Sequence, residues 1–375
     1  MGTGEELEKL FLHWLCRLEG LGPVTVQRIG AFAGGFRNAY YIEGMELKKA
    51  GILKREESCH RFDAWKKEFH SMEEAYYRLA DQGIRFITPL DQEYPNRLLH
   101  MYDYPMGLYV KGMLPQEKHP AAAVIGARDC SAYGRLTAEH MAKELARAGV
   151  DIISGLALGI DGAGHKGALD GGGKTFAVLG CGVDLCYPRS NYSLYARIPD
   201  QGGLLSEYPP KTTPLPRNFP IRNRIISGLS DVILVMEARK KSGSLITAQA
   251  GLDQGKEIYA LPGRITDALS EGCNQLIASG AFVLLSPSCV LENMGIFCEK
   301  REDLGEKNQK GLAKREKMVY SCLDSEPLHL EEIAKRAGLS VSQSMDALLT
   351  LELGGYAVRT TGLYYVRGKI GRAHV

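Results

Sequence analysis

Short runs of apolar residues, each followed by a stretch with helical periodicity, dominate the middle of the chain. They predict strands at 121–126, 150–154, 175–180, 203–206, 231–237, 257–261 and 281–285. Strands that are apolar throughout and separated by helices predict a mostly parallel sheet covered on both faces. In such sheets ligands sit beyond the carboxyl ends of the strands, where strand order reverses. Upstream, the spacing of Leu10-Phe11-Leu12-His13-Trp14-Leu15 predicts a helix, with a turn at Leu18-Glu19-Gly20-Leu21-Gly22-Pro23. Two β-like segments, Ile84-Arg85-Phe86-Ile87 and Gly107-Leu108-Tyr109-Val110, lead into the sheet. Downstream, residues 318–323, 330–337 and 341–353 show three helical periods. Ala357-Val358-Arg359 and Leu363-Tyr364-Tyr365-Val366 follow around Thr361-Gly362, and together these describe a winged helix.

The expected organisation is an N-terminal helical domain over 1–83, a Rossmann-like domain over 84–298, a linker over 299–312 and a winged helix over 313–367. The last residues, 368–375, read as a translated sequencing adapter and are set apart from the fold.

Composition narrows the class without choosing a function. The 375 residues, 45% of them hydrophobic, suffice for two or three globular domains. With 46 Lys and Arg against 44 Asp and Glu, a polyanion has to be held by a local patch rather than by overall charge. The nine cysteines lack a Cys-x-x-Cys pair and read as reduced thiols of a cytoplasmic protein. No apolar run approaches twenty residues and no leader pattern opens the chain, so neither secretion nor membrane insertion is expected.

Four turns carry the candidate chemistry. Gly126-Ala127-Arg128 and Ser154-Gly155-Leu156-Ala157-Leu158-Gly159-Ile160-Asp161 follow strands, and glycine-rich turns of this kind let backbone amides approach an anion. Phe219-Pro220-Ile221-Arg222-Asn223-Arg224 and Lys241-Ser242-Gly243-Ser244 each open a predicted helix, where the helix dipole adds partial positive charge. Arg128, Lys174, Arg222, Arg224 and Lys241 are the cations of the phosphate-binding rim these turns are expected to form; any one of them alone is more often a solvated surface charge.

Three competing motifs fare worse. Gly171-Gly172-Gly173-Lys174-Thr175 lacks the first glycine of a P-loop, where Ala168 stands, and runs from helix to strand rather than the reverse. Gly162-Ala163-Gly164-His165-Lys166-Gly167 matches Gly-x-Gly-x-x-Gly but begins several residues after its strand ends. His165 has no assignable nucleophile or partner acid, and its plain reading is a polar residue that fixes the loop. The 18–23 turn resembles a helix-hairpin-helix, whose amides can face a DNA phosphate, but a structural hairpin is the favoured reading. The candidate recognition helix, 341–353, has no Arg or Lys, which favours a protein-contact or regulatory role over duplex reading.

Taken together, Gly126-Ala127-Arg128 with Ser131 and Tyr133-Gly134, Ser154 through Asp161, Leu205-Ser206-Glu207-Tyr208-Pro209, Phe219 through Ile226, Ser242 through Ala248 and Pro262-Gly263 resemble the DNA-processing protein A family, also called Smf. One departure is Gly164, where the family usually has alanine. The resemblance implies a Rossmann-like, doubly wound, mostly parallel α/β sheet with an N-terminal helix-hairpin-helix or SAM-like domain and a C-terminal winged helix. It implies a non-enzymatic, cofactor-free cytoplasmic homodimer that binds single-stranded DNA and helps load the RecA recombinase in natural transformation. Carried over by position, Gly126, Arg128, Ser131, Lys174, Arg222, Asn223 and Arg224 hold phosphates, with Lys241, Ser242, Gly243 and Ser244 as the adjacent helix-end nest. The alternative is a nucleotide-binding or nucleotide-hydrolysing enzyme of the phosphoribohydrolase-like superfamily. Such enzymes need a carboxylate one helical turn after the glycines, where this chain has Ala248, Gln249 and Ala250.

Overall fold

The computed structural model describes residues 4–296, 313–324, 327–360 and 362–367. Its described residues divide into two compact units, one within Met1–Phe297 and one within Cys298–Val375. The expected linker over 299–312 and the tail over 368–375 lie outside the described residues.

The first unit is built on nine strands: β1 (Arg85–Ile87), β2 (Leu108–Gly112), β3 (Ala121–Ile125), β4 (Asp151–Ser154), β5 (Thr175–Val178), β6 (Gly202–Ser206), β7 (Val232–Val235), β8 (Glu257–Ala260) and β9 (Phe282–Val283). They form one sheet in the order β1-β2-β6-β5-β4-β3-β7-β8-β9. The seven from β3 to β9 are mutually parallel, and β2 joins β6 antiparallel with β1 beyond it. Every residue of β3 through β7 is buried, which is why these segments read as unbroken apolar runs rather than alternating ones. One face of the sheet packs Ile153, Phe176, Leu205 and Ile225, and the other packs Val124, Ile152, Met141 and Leu234. The chain winds outward from β3 toward β6, then returns to β3's other side at β7. The switch point therefore lies between β3 and β7.

The N-terminal helices have a core of their own around Trp14, Phe62 and Leu47. Two indoles fasten it reciprocally: Trp14 Nε1 donates to the Trp65 carbonyl at 3.2 Å, and Trp65 Nε1 donates to that of Trp14 at 3.0 Å. The 18–23 turn joins helix Gly4–Cys16 to helix Pro23–Ala33, as the sequence predicts.

In the second unit, helices Lys314–Cys322, Leu330–Ala337 and Val341–Leu353 precede the hairpin β11 (Ala357–Arg359) and β12 (Tyr364–Arg367), with β10 (Leu328–His329) as third strand in the order β10-β12-β11. This is a winged helix. Helix Val341–Leu353 buries Ala347, Leu348 and Leu351 and leaves Val341, Met345, Leu349 and Leu353 exposed along one stripe at four-residue spacing.

Candidate functional site

At the switch point, the loops after β3 and β7 and the start of helix Asn218–Gly228 enclose a cleft of about 360 Å³. Gly126 and Arg128 enter it from β3, Arg222 and Asn223 from the Asn218–Gly228 helix, and Lys241, Ser242, Gly243 and Ser244 from the loop that opens helix Gly243–Asp253. Eight of the sequence-predicted residues thus meet in one place, from segments more than a hundred residues apart.

Glycines allow the crowding. Gly159 has φ +73°, and a Cβ there would sit 2.3 Å from the Ala127 carbonyl oxygen, so the two strand-end loops nest only because the side chain is absent. A Cβ on Gly126 would come within 2.6 Å of Ile160.

Buried beneath the cleft lies a fixed cation. Arg222 is 3% exposed and donates through Nη1 to the carbonyls of Gly155, at 2.8 Å, and Val178. It thereby ties the ends of β4 and β5 to the Asn218–Gly228 helix. Burial pushes its pKa down to about 10, against the neighbouring Asp161 carboxylate. Asp161 in turn accepts from the Gly155 and Ala157 amides at 3.2 and 3.4 Å; burial raises its pKa while Arg222 and these amides oppose the rise.

Two residues outside the predicted set of phosphate-holding residues complete the wall. The half-buried Phe219 ring has two guanidinium groups near it, that of Arg128 at 5.3 Å and that of Arg222 at 5.8 Å. Arg239 lines the same cleft and reaches Asp129 at 4.0 Å, both side chains being largely solvated. In the sequence Phe219 stands at the head of the 219–224 stretch without a role of its own; Arg239 carries no sequence signal.

The helix N-termini around the site are not equivalent. That of helix Ala132–Arg147 is already filled by a buried carboxylate: Glu237 accepts from the Ser131 amide at 2.8 Å and from its hydroxyl, and Ser131 Oγ accepts from the Gly134 amide at 3.0 Å. Ser131 therefore serves the fold rather than the rim, which corrects its assignment. At helix Gly243–Asp253 only the hydroxyl of Ser242 caps the amide of Ser244, and no carboxylate is present. Its first turn opens into the cleft beside Lys241. Asn223 braces the turn by donating to the Gly243 carbonyl at 3.4 Å. Among the described residues neither Arg128 nor Lys241 has an ion-pair partner, and both are exposed.

Two further predicted cations do not belong here. Lys174 immediately precedes β5, at the amino ends of the parallel strands, where its charge acts on Asp151 at the start of β4. The cleft is at the carboxyl ends, so Lys174 lies at the opposite edge of the sheet. Arg224 points away from Arg222 because two residues along a helix turn the side chain by roughly 200°. It is 11% exposed and pairs with Glu207 at 2.6 Å and Asp103 at 3.2 Å.

The competing motifs resolve as packing. Gly162 through Gly167 lie inside helix Ile160–Asp170, and a Cβ on Gly167 would stand 2.3 Å from the Glu139 carbonyl oxygen of the neighbouring helix. Gly171 through Lys174 connect that helix to β5. His165 is fully buried, its Nδ1 2.7 Å from Thr175 Oγ1, which itself donates to the Ile152 carbonyl. Burial drives its pKa down to about 3, so it is a neutral structural imidazole at physiological pH. At Gly164 a Cβ would contact Val124 at 3.0–3.1 Å, a tight approach between helix and sheet.

A doubly wound α/β module with a cleft lined by cations and an open helix N-terminus at its switch point, followed by a winged helix, is the class these features define. Residues 85–295 match the family model of DNA recombination-mediator protein A, and residues 306–362 match that of the DprA winged helix domain. Protein Smf of Escherichia coli K12 is 38% identical over 331 residues, covering 86% of this chain and 87% of its own length. The DNA processing protein DprA of Streptococcus pneumoniae is 41% identical over 233 residues, or 62% of this chain and 82% of its own. The X-ray structure of DprA from Streptococcus pneumoniae superposes with TM-score 0.67 at 34% identity, covering 78% of this chain and 98% of that one. A Helicobacter pylori DNA processing protein A, solved to describe its single-stranded DNA binding mode, superposes with TM-score 0.50 at 30% identity over 56% of this chain and 95% of that one. The chain belongs to the DNA-processing protein A (Smf) family.

Proposed function

We propose that this protein binds single-stranded DNA by its phosphates at the switch-point cleft. The observation that carries this reading is the open N-terminus of helix Gly243–Asp253, flanked by the unpaired Arg128 and Lys241. Arg128 and Lys241 clamp phosphate oxygens, the first amides of the helix and the hydroxyls of Ser242 and Ser244 complete the nest, and Arg222 fixes the floor. Phe219 holds the Arg128 guanidinium over its ring and so keeps that cation at the cleft. The single-stranded DNA binding mode described for the Helicobacter pylori relative supports the same ligand here.

The family's wider role follows as part of the same reading: a cytoplasmic homodimer that processes incoming DNA in transformation and passes it to the RecA recombinase. The exposed apolar stripe of helix Val341–Leu353, which carries no base, supports a protein-contact role for the winged helix. No helix among the described residues is long and apolar enough to cross a membrane.

Against nucleotide hydrolysis stands the run Ala248-Gln249-Ala250, which has no carboxylate one helical turn after the small residues, where a phosphoribohydrolase places its acid. Arg128→Ala should weaken the shift of a single-stranded oligonucleotide in a mobility assay while leaving the melting temperature unchanged; an undiminished shift would exclude the cleft. Incubation with nucleoside monophosphates should release no free base, and release would return the enzyme reading.

A further inference from the structure

A second cavity, of about 620 Å³, opens between the 18–23 turn of the helical segment and the 207–224 region of the sheet layer. Its walls are largely apolar, with Leu21, Val26 and Met106 on one side and Leu215 and Ile221 on the other. Inside them stand three groups with hydrogen-bonding capacity. Arg17 Nε and Arg224 Nη1 are buried donors with no partner in the protein, and Glu207 is held by Arg224 through Oε2 alone. The guanidinium groups of Arg17 and Arg224 and the Glu207 carboxylate all belong to residues that line the cavity, a set that suits a ligand with both acceptor and donor atoms.

The chemistry discriminates between ligands. A phosphate would meet the Glu207 carboxylate, whereas a planar heteroaromatic ring suits apolar walls and presents both carbonyl acceptors and an amino or imino donor to that carboxylate. The cavity also adjoins the cleft. Arg217, Ile221 and Arg224 face the cavity while Pro216, Phe219 and Asn223, from the same short segment, face the cleft. One helix, about 10 Å across, separates the two.

We propose that this cavity receives an unstacked nucleobase from the strand whose phosphates occupy the cleft. The proposal rests on the single-stranded DNA reading above and extends the strand's path to the helical hairpin, which then contacts a base rather than a phosphate.

The test is a binding cycle on the full-length protein, using a 12-nucleotide single strand and the same strand with every residue abasic. The variants are Leu21→Trp, which fills the cavity from a half-buried position, and Arg17→Gln, which removes one orphan donor with little change in volume. Each variant should bind the intact strand about tenfold more weakly than wild type, the size of one base contact, and the abasic strand equally well. Equal binding of the intact strand by wild type and Arg17→Gln overturns the proposal. So does an equal loss on both strands in both variants, which would place the effect on the backbone or the fold. Free thymidine monophosphate in millimolar excess should leave the intact-strand affinity unchanged; displacement by the monomer would mean that the cavity serves free nucleotides instead. If wild type binds neither strand, the cleft reading itself fails; Arg128-dependent binding of both strands with a flat cycle removes only the base site.

Discussion

Replacing Gly243 with aspartate separates the two consequences of an open helix N-terminus. Gly243 is the first residue of helix Gly243–Asp253, is exposed, and would give a Cβ nothing to meet within 4 Å. The new carboxylate would take the place at this helix that Glu237 already holds at helix Ala132–Arg147. Relief of glycine's helix penalty and compensation of the dipole together stabilise the fold by about 0.5–1 kcal/mol, or about 1–3 °C in melting temperature. The ligand experiences the reverse. A carboxylate roughly 4 Å from a bound phosphate costs about 4 kcal/mol at an effective dielectric constant near 20. Solvent and salt around this exposed turn reduce that to about 2–3 kcal/mol, roughly 30- to 150-fold in Kd. Fluorescence anisotropy with a labelled oligonucleotide and a thermal melt on the same preparations read both effects. Gly243→Ala is the control; it should keep affinity within about threefold, as surface substitutions without a charge usually do. A Gly243→Asp protein that melts higher and still binds like wild type would refute the assignment of this helix end to phosphate.

Two other expectations follow from the placement of particular groups. Lys174→Ala should bind oligonucleotide within about twofold of wild type, the ordinary range for a surface change away from a site, and a loss matching that of Arg128→Ala would mean that the strand reaches the other edge of the sheet. Acid should weaken the fold through its buried imidazoles. His13 and His165 are both held neutral by burial, each with its pKa lowered to about 3, so the unfolded chain binds more protons than the folded one between about pH 6.5 and pH 3. Stability is thus complete above pH 6.5 and falls by about 1.4 kcal/mol per pH unit for each histidine below it. Urea midpoints at pH 7 and pH 5 would measure this, and a pH dependence that His13→Phe leaves equally steep would assign the effect elsewhere.

The sheet was legible because fully buried parallel strands leave uninterrupted apolar runs, and all seven strands expected between 121 and 285 form. The cleft was legible in part, for a related reason. Turns after β3 and β7 are placed by the strands that precede them, and the switch point brings them together. Lys174 shows what was overlooked: it precedes its strand rather than following it, and strand direction sends it to the far edge. Arg222 and Arg224 read as one basic group, yet helical geometry divides them between the cleft and an ion pair with Glu207 and Asp103. Ser131 could not be judged from its neighbours, because the carboxylate that occupies it lies 106 residues away in the chain.

The salt dependence of single-stranded DNA binding, measured for wild type and Arg128→Ala by filter binding between 50 and 200 mM salt, addresses the central claim most directly. Each phosphate contact on a single strand adds about −0.7 to the slope of log K against log salt. Two contacts, from Arg128 and Lys241, predict a slope of about −1.4, and Arg128→Ala should flatten it by about 0.7. A slope near zero, or one that Arg128→Ala leaves unchanged, would contradict a phosphate-binding cleft at this switch point.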